Sequence, residues 1–340
     1  MTEPLVVAQD LRALGRPGPA GSGIGRYVQC LHDALREHAG ELSLRLEPIS
    51  EPQRWEPLEL LLQARTVKRL GADVLHTPSL DFLSLRPGAP QVVTLHDLAP
   101  LKNPELYLRT GLLHRLRYRA VRRARRVMVD SSAVAEDAER MLGLDPERIA
   151  VVPLAVPPGF APVSEPRARL SRLGAPEHFL LWVGSLDPID PRKGVEALAR
   201  AVERGDGPPL VLAGGASPAA GELLSVPGRV LVLGRVSDSE LTALYTAADA
   251  LVFPSEDEGF GFPPLEALAC GTPVATYAAG SLPEVLAGAE GAALVEPGDA
   301  EALLDAAERL AGATARAPAR DWAQVASEAA AVLREAAERT

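Results

Sequence analysis

Cysteine is nearly absent from this chain. Its 340 residues hold two, Cys30 and Cys270, too few for a disulfide framework or a cysteine zinc site, and a reducing compartment fits. Lysine is almost as scarce: of 35 Lys and Arg residues, only Lys68, Lys102 and Lys193 are lysine. Each is therefore a candidate for a site where a compact ammonium serves and a guanidinium does not. No apolar run approaches the roughly 18 residues that a membrane span needs. The opening segment MTEPLVVAQDLRAL lacks a basic n-region, which predicts no secretory signal. Positive charge is not in excess either: the formal net charge of −10 argues against nucleic acid as a partner. These absences predict a cytoplasmic protein.

What is present is ordinary globular material, 47% hydrophobic and 24% charged, and at about 150 residues per domain it predicts two domains. Short β-branched runs alternate with helical patterns throughout, the signature of βα units and parallel sheets. Six strands are expected in the first half, at Leu5–Ala8, Leu42–Leu46, Val74–His76, Gln91–Leu95, Arg126–Val129 and Ile149–Val152. A proline-rich stretch, Val152–Pro166, reads as a linker. The pattern restarts with strands at Phe179–Val183, Leu210–Ala213, Val230–Leu233, Ala250–Phe253, Val274–Thr276 and Ala292–Val295. The expected domains are residues 1–160 and 167–313, with residues 314–340 carrying a last helix that packs back on the first domain. Each is expected to be a doubly wound α/β domain, whose ligands sit at the carboxyl ends of its strands.

The strongest local signal is EGFGFPPLEALACGTPV, Glu258–Val274, which follows the strand ALVFPS. Gly259 and Gly261 let backbone approach a ligand closely, and Pro263 and Pro264 open a helix whose free N–H groups suit phosphate or sugar hydroxyls. Glu258 falls on the loop and Glu266 is expected in the helix's first turn, where a carboxylate also complements the helix dipole. Earlier, GSGIGRY, Gly21–Tyr27, stands between a strand and a helix and reads as a phosphate-cradling loop. With Glu47 about twenty residues on, a dinucleotide-binding reading stays open, although the Gly-x-Gly-x-Gly spacing is not the dinucleotide fingerprint. Arg192 and Lys193 follow a strand and an Asp/Pro turn, where a solvated surface pair is the plain alternative to an anion site. His96 closes the strand QVVTLH at a carboxyl end.

Taken in order, DLRAL…GSGIGRYV, TLHDLAPL, LWVGSLDPIDPRKG, LVLAGG and AADALVFPSEDEGFG, with the Glu258-x7-Glu266 pair, resemble the retaining GT-B glycosyltransferases of glycosyltransferase family 4. The likeness spans nearly the whole chain and is greatest to bacterial mannosyltransferases of polysaccharide and O-antigen synthesis. It implies two facing Rossmann-like domains with a cleft between them, and a hexose, mannose by preference, moved from a nucleoside diphosphate sugar to an acceptor hydroxyl without a metal. GDP-mannose is favoured over a UDP-sugar, and a glycan or lipid-linked molecule is the acceptor. By the same resemblance Arg192 and Lys193 neutralise the leaving diphosphate. Glu258, with Gly259, Phe260 and Gly261, holds the sugar, while Leu265 and Glu266 lie at the ribose. His96 lies near the reacting carbon, and amides near Gly23 and Gly25 reach the diphosphate across the cleft. Gly184 and Ser185 border the donor, and Arg235 and Val236 meet the base. Ser185 stands where many members carry arginine, which leaves Arg192 to supply that charge.

Two other classes fit parts of the sequence: a nucleotide-sugar epimerase of the same fold, and an NAD-dependent oxidoreductase resting on GSGIG and Glu47. Finally, Leu106–Val127 holds eight arginines between Arg109 and Arg126 and no acid. Leu108, Leu112, Leu116, Ala120 and Ala124 are expected to form its buried stripe, with the arginines free to meet an anionic membrane at the cell's inner face.

Overall fold

The computed structural model describes residues 3–15, 23–50, 56–84, 86–107 and 111–338. The chain forms two compact units, Met1–Ala155 together with Arg320–Thr340, and Val156–Ala319. The proline-rich stretch divides at Ala155/Val156, because its second half is tied to the second unit. There Val163 N–H donates to Thr246 Oγ1 at 3.3 Å and Phe160 packs edge-on against Tyr245.

In the first unit the strands are β1 (Leu5–Asp10), β2 (Leu44–Ile49), β3 (Val74–Thr77), β4 (Gln91–Leu95), β5 (Arg126–Val129) and β6 (Ile149–Val151). They form one sheet in the order β2-β1-β3-β4-β5-β6, with every neighbouring pair parallel. β3 and β4 are buried along their whole length, as strands covered on both faces must be. The helix Trp322–Glu338 belongs to this unit. It turns Val325, Ala326, Ala329, Ala330, Leu333 and Ala336 inward, and Arg126 Nη1 meets its Glu335 at 2.7 Å. Arg320 Nε also donates to the carbonyl of Pro153 at 2.8 Å.

The second unit carries β7 (Leu180–Val183), β8 (Leu210–Ala213), β9 (Val230–Gly234), β10 (Ala250–Phe253), β11 (Val274–Tyr277) and β12 (Ala292–Val295). Their order is β12-β11-β10-β7-β8-β9, again all parallel. Its core gathers Trp182, Leu198, Leu212, Val252, Ala275 and Leu303 between sheet and helices. The winding runs outward from β7 to β9 and then, from β10, outward the other way. The reversal opens a crevice beyond the carboxyl ends of β7 and β10, where ligands of such sheets bind.

The arginine-rich segment departs from expectation. Its helix covers only Gly111–Val121, and Tyr118, Val121 and Ala124 are buried while Leu116 is 53% exposed. Of the expected stripe, Ala120 and Ala124 are buried and Leu116 is not, since a step of four residues overshoots a helical turn by about 40°. Leu108 and Arg109 lie outside the described residues, as do Gly21 and Ser22 of the glycine loop.

Candidate active site

The loops after β7 and β10 build the crevice. After β7 come Gly184, an exposed Ser185, the turn to Asp190, the short 3-10 turn Pro191–Lys193, and Gly194 at φ 61°, which starts the helix Val195–Arg204. A Cβ on Gly194 would stand 2.4 Å from the carbonyl oxygen of Pro254, so the left-handed turn and the close approach both demand glycine. The Glu256 N–H donates to the Arg192 carbonyl at 2.9 Å and stitches the two loops together.

That stitching sets the charges. Lys193 Nζ donates to Glu258 Oε1 at 2.8 Å, and Ser255 Oγ donates to the same oxygen at 2.9 Å. Arg192 reaches Asp190 with Nη2 at 2.5 Å and Asp257 with Nη1 at 3.2 Å. Burial pulls Lys193 toward its neutral form, but the carboxylate of Glu258 outweighs it and the pKa is raised, so the ammonium is fixed. Two cations thus face three carboxylates. Sequence reasoning missed Asp190 and Asp257, and for Asp257 no local signal exists, because it pairs across 65 residues.

The glycine-rich loop beyond Glu258 rests on the segment after β11. The Ser281 N–H donates to the Glu258 carbonyl and Ser281 Oγ to that of Phe260. Gly261, at φ 93°, precedes the helix Phe262–Ala269. Glu266 lies in the second turn of that helix, not the first. It is 3% exposed and accepts from the hydroxyl of Tyr245, so dipole complementation is not its role. Leu265 and Phe260 are buried beside it. At the neighbouring strand ends, Gly214 takes φ 148°, and a Cβ there would lie 1.7 Å from the Gly184 carbonyl oxygen. Arg235 is exposed and Val236 half-buried after β9. The structure therefore gathers Arg192, Lys193 and Glu258 into one cluster, with Gly184, Ser185, Arg235, Val236 and Glu266 on strand ends and helices of the same unit.

His96, Gly23 and Gly25 belong to the first unit. His96 follows β4, with Nδ1 2.5 Å from Asp130 Oδ2 and Nε2 2.9 Å from the Pro78 carbonyl oxygen. Burial opposes its proton, yet Asp130 and the Pro78 carbonyl prevail and its pKa is raised. The ring of Tyr27 stands edge-on to it at 4.6 Å, and the Tyr27 hydroxyl meets Thr94 Oγ1, which also meets His76 Nε2 at 3.0 Å. Burial and the His96 charge push His76 down to about 3. Gly23 and Gly25 do not lie on a loop: both are in the first turn of the helix Gly23–Glu37. Glu47, the ribose candidate of the dinucleotide reading, lies on β2 and pairs with Arg45 at 3.2 Å. At the end of β1, Asp10 takes Arg12 Nε and Nη2 together with Gln63 Nε2, and Arg12 covers the ring of Phe82. Asp10 and Arg12 are the first and third residues of the DLRAL segment, while Gln63 and Phe82 join them only through the fold.

Residues 28–160 match the family model described as Glycosyltransferase Family 4, and residues 177–312 the one described as Glycosyl transferases group 1. Over 212 residues the chain is 34% identical to the D-inositol 3-phosphate glycosyltransferase of Mycobacterium tuberculosis (strain ATCC 25618 / H37Rv), a match taking in 58% of this chain and 44% of that protein. The match thus spans less than half of that relative's length. Sucrose-phosphate synthase (tll1590) from Thermosynechococcus elongatus superposes with a TM-score of 0.71 at 23% identity, over 98% of this chain and 94% of that one. Anabaena Alr3699/HepE in complex with UDP and glucose does so with a TM-score of 0.67 at 19% identity, over 98% and 95%. Both halves of the chain thus lie within glycosyltransferase family models, and the fold is GT-B.

Proposed function

We propose that this GT-B chain transfers a hexose from a nucleoside diphosphate sugar to an acceptor hydroxyl, with retention at the anomeric carbon. The observation that carries the reading is the convergence of Lys193, Arg192 and Glu258 beyond β7 and β10, at the reversal of strand order. The two cations meet the diphosphate, Glu258 accepts from sugar hydroxyls, and the buried Glu266 accepts from the ribose. In an oxocarbenium-like transition state the charge departs onto phosphate. Fixed cations aimed there supply the stabilisation without a metal ion, and a departing phosphate oxygen takes the acceptor's proton. The matches support a glycosyltransferase and give the epimerase alternative no support.

The sequence favours GDP-mannose as donor, while HepE was solved with UDP and glucose. The first test is therefore thermal unfolding against GDP, UDP, ADP, dTDP and NAD at matched concentrations. A ligand at 100 times its Kd adds about 2.7 kcal/mol, a clear rise in Tm. One nucleoside diphosphate should stand out; a response to NAD alone would overturn the reading. Transfer assays with that base's sugars, in EDTA, and NMR of the product anomer then test metal independence and retention.

A glycan or lipid-linked acceptor at a membrane face is part of the same reading. Its support is the row of exposed Arg115, Arg119, Arg123 and Arg125, whose guanidinium groups make no hydrogen bond or ion pair among the described residues, with Leu116 exposed beside them. Such a row suits anionic headgroups. Co-sedimentation with anionic but not neutral vesicles is expected, and equal binding to both would remove the electrostatic contact.

A further inference from the structure

Resting on the donor-site reading above, we infer that Lys193 and Glu258 are exchange partners: each holds the other until a sugar nucleotide takes both. The pair is direct at 2.8 Å and partly buried, with side chains 26% and 15% exposed. Among the described residues the carboxylate has one other side-chain donor, Ser255 Oγ. A diphosphate oxygen that reaches Lys193 must displace Glu258. The ammonium then keeps an anionic partner, because phosphate replaces carboxylate.

Glu258 is in a different position. Separated from Lys193, it is a half-buried carboxylate held by one hydroxyl, and a buried charge that loses its partner is penalised. A hexose carried on the diphosphate removes that penalty, since its hydroxyls donate to the vacated oxygen. A nucleoside diphosphate without the sugar leaves the penalty in place. The exchange therefore makes sugar and phosphate recognition cooperative. It discriminates the intact donor from the nucleoside diphosphate product and so favours product release. Arg192 is held differently: Asp190 grips it bidentately through Nε and Nη2 from two residues away, so it stays in place as a fixed charge.

The test is calorimetric titration of the full chain with UDP, GDP, ADP and dTDP, and then with the sugar nucleotides of whichever base binds. Glu258→Gln and Glu258→Ala remove the competitor for Lys193. Both should bind the nucleoside diphosphate about tenfold more tightly than the wild type, while the advantage of the sugar nucleotide over the diphosphate shrinks. Glu256→Gln makes the same charge change on an exposed neighbour that does not touch Lys193, and should alter binding little. In Lys193→Met the substitution Glu258→Gln should no longer tighten binding. If the wild type binds a nucleoside diphosphate but the Glu258 variants bind it equally or more weakly, the exchange is wrong and the donor site stands. The exchange is equally overturned if Glu256→Gln tightens binding as much. If the wild type binds no nucleoside diphosphate, donor site and exchange fall together.

Discussion

The hydroxyl of Tyr245 donates to Glu266 Oε2 at 2.9 Å, and both side chains are buried. Tyr245 sits near the end of the helix Asp238–Ala247, which a Ser237/Glu240 capping box starts after β9, and Glu266 sits one turn into the helix after β10. Two helices thus fix one carboxylate. Replacing Tyr245 by Phe removes a donor from a buried acceptor and should cost about 1–3 kcal/mol in denaturant unfolding. It should also weaken nucleoside diphosphate binding, because the carboxylate loses its orientation. Unchanged binding with lowered stability would confine Tyr245 to the core.

Gly214→Ala should be poorly tolerated. Its φ of 148° and the 1.7 Å approach of a Cβ to the Gly184 carbonyl oxygen leave no room without moving the loop after β7. A lower Tm and a lost response to nucleoside diphosphate are expected. Gly221→Ala is the control: it lies in the helix Pro218–Leu224 with nothing within 4 Å of its Cβ, and should stabilise by about 0.5–1 kcal/mol.

His96 and His76 should bias stability in opposite directions with pH. The folded pKa of His96 is raised, so its contribution is complete below about 6.5 and fades as pH climbs through the folded value. His76, lowered to about 3, contributes above about pH 6.5 and loses that contribution as pH falls toward 3. An NMR titration of the histidine Cε1 protons should find His96 still charged above pH 6.5 and His76 neutral throughout the mild acid range. Asp130→Asn should drop the His96 midpoint below the ordinary histidine value, since burial then acts with less opposition. An unmoved midpoint would break the assignment.

Asp10 and Arg12 form a buried pair, with side chains 0% and 5% exposed. Asp10→Asn takes one charge out of this buried pair and should lower stability by up to about 3–5 kcal/mol. Asp10→Asn combined with Arg12→Met should recover part of that loss, as read by urea unfolding.

The parallel sheets were legible because strands covered on both faces are written as short apolar β-branched runs. Gln91–Leu95, Leu210–Ala213 and Ala250–Phe253 are buried throughout and have the bounds the sequence predicts, as does the more exposed edge strand Ala292–Val295. The loops of the site were legible for a related reason: glycines at 194 and 261 and the Pro-Pro start of a helix are local demands of backbone geometry. What stayed hidden is tertiary. Asp257 meets Arg192, Tyr245 meets Glu266, and Asp130 meets His96 only once separate βα units lie side by side. The arginine segment was legible in part: Ala120 and Ala124 are buried where the spacing puts them, but Leu116 faces outward, because every fourth residue is not quite the helical repeat and the buried face runs through Tyr118 and Val121.

The return of the last helix to the first unit has a consequence for synthesis. On the ribosome the residues Val156–Ala319 emerge as one uninterrupted block and can complete their own core at once. The first unit, begun earlier, must wait: the faces of β3, β4 and β5 that receive Trp322–Glu338 stay uncovered until that helix leaves the exit tunnel. The half that is made first is therefore finished last. A chain terminated before Trp322 would carry a complete second unit beside an open, apolar sheet face, and it is this face that a chaperone or protease would find.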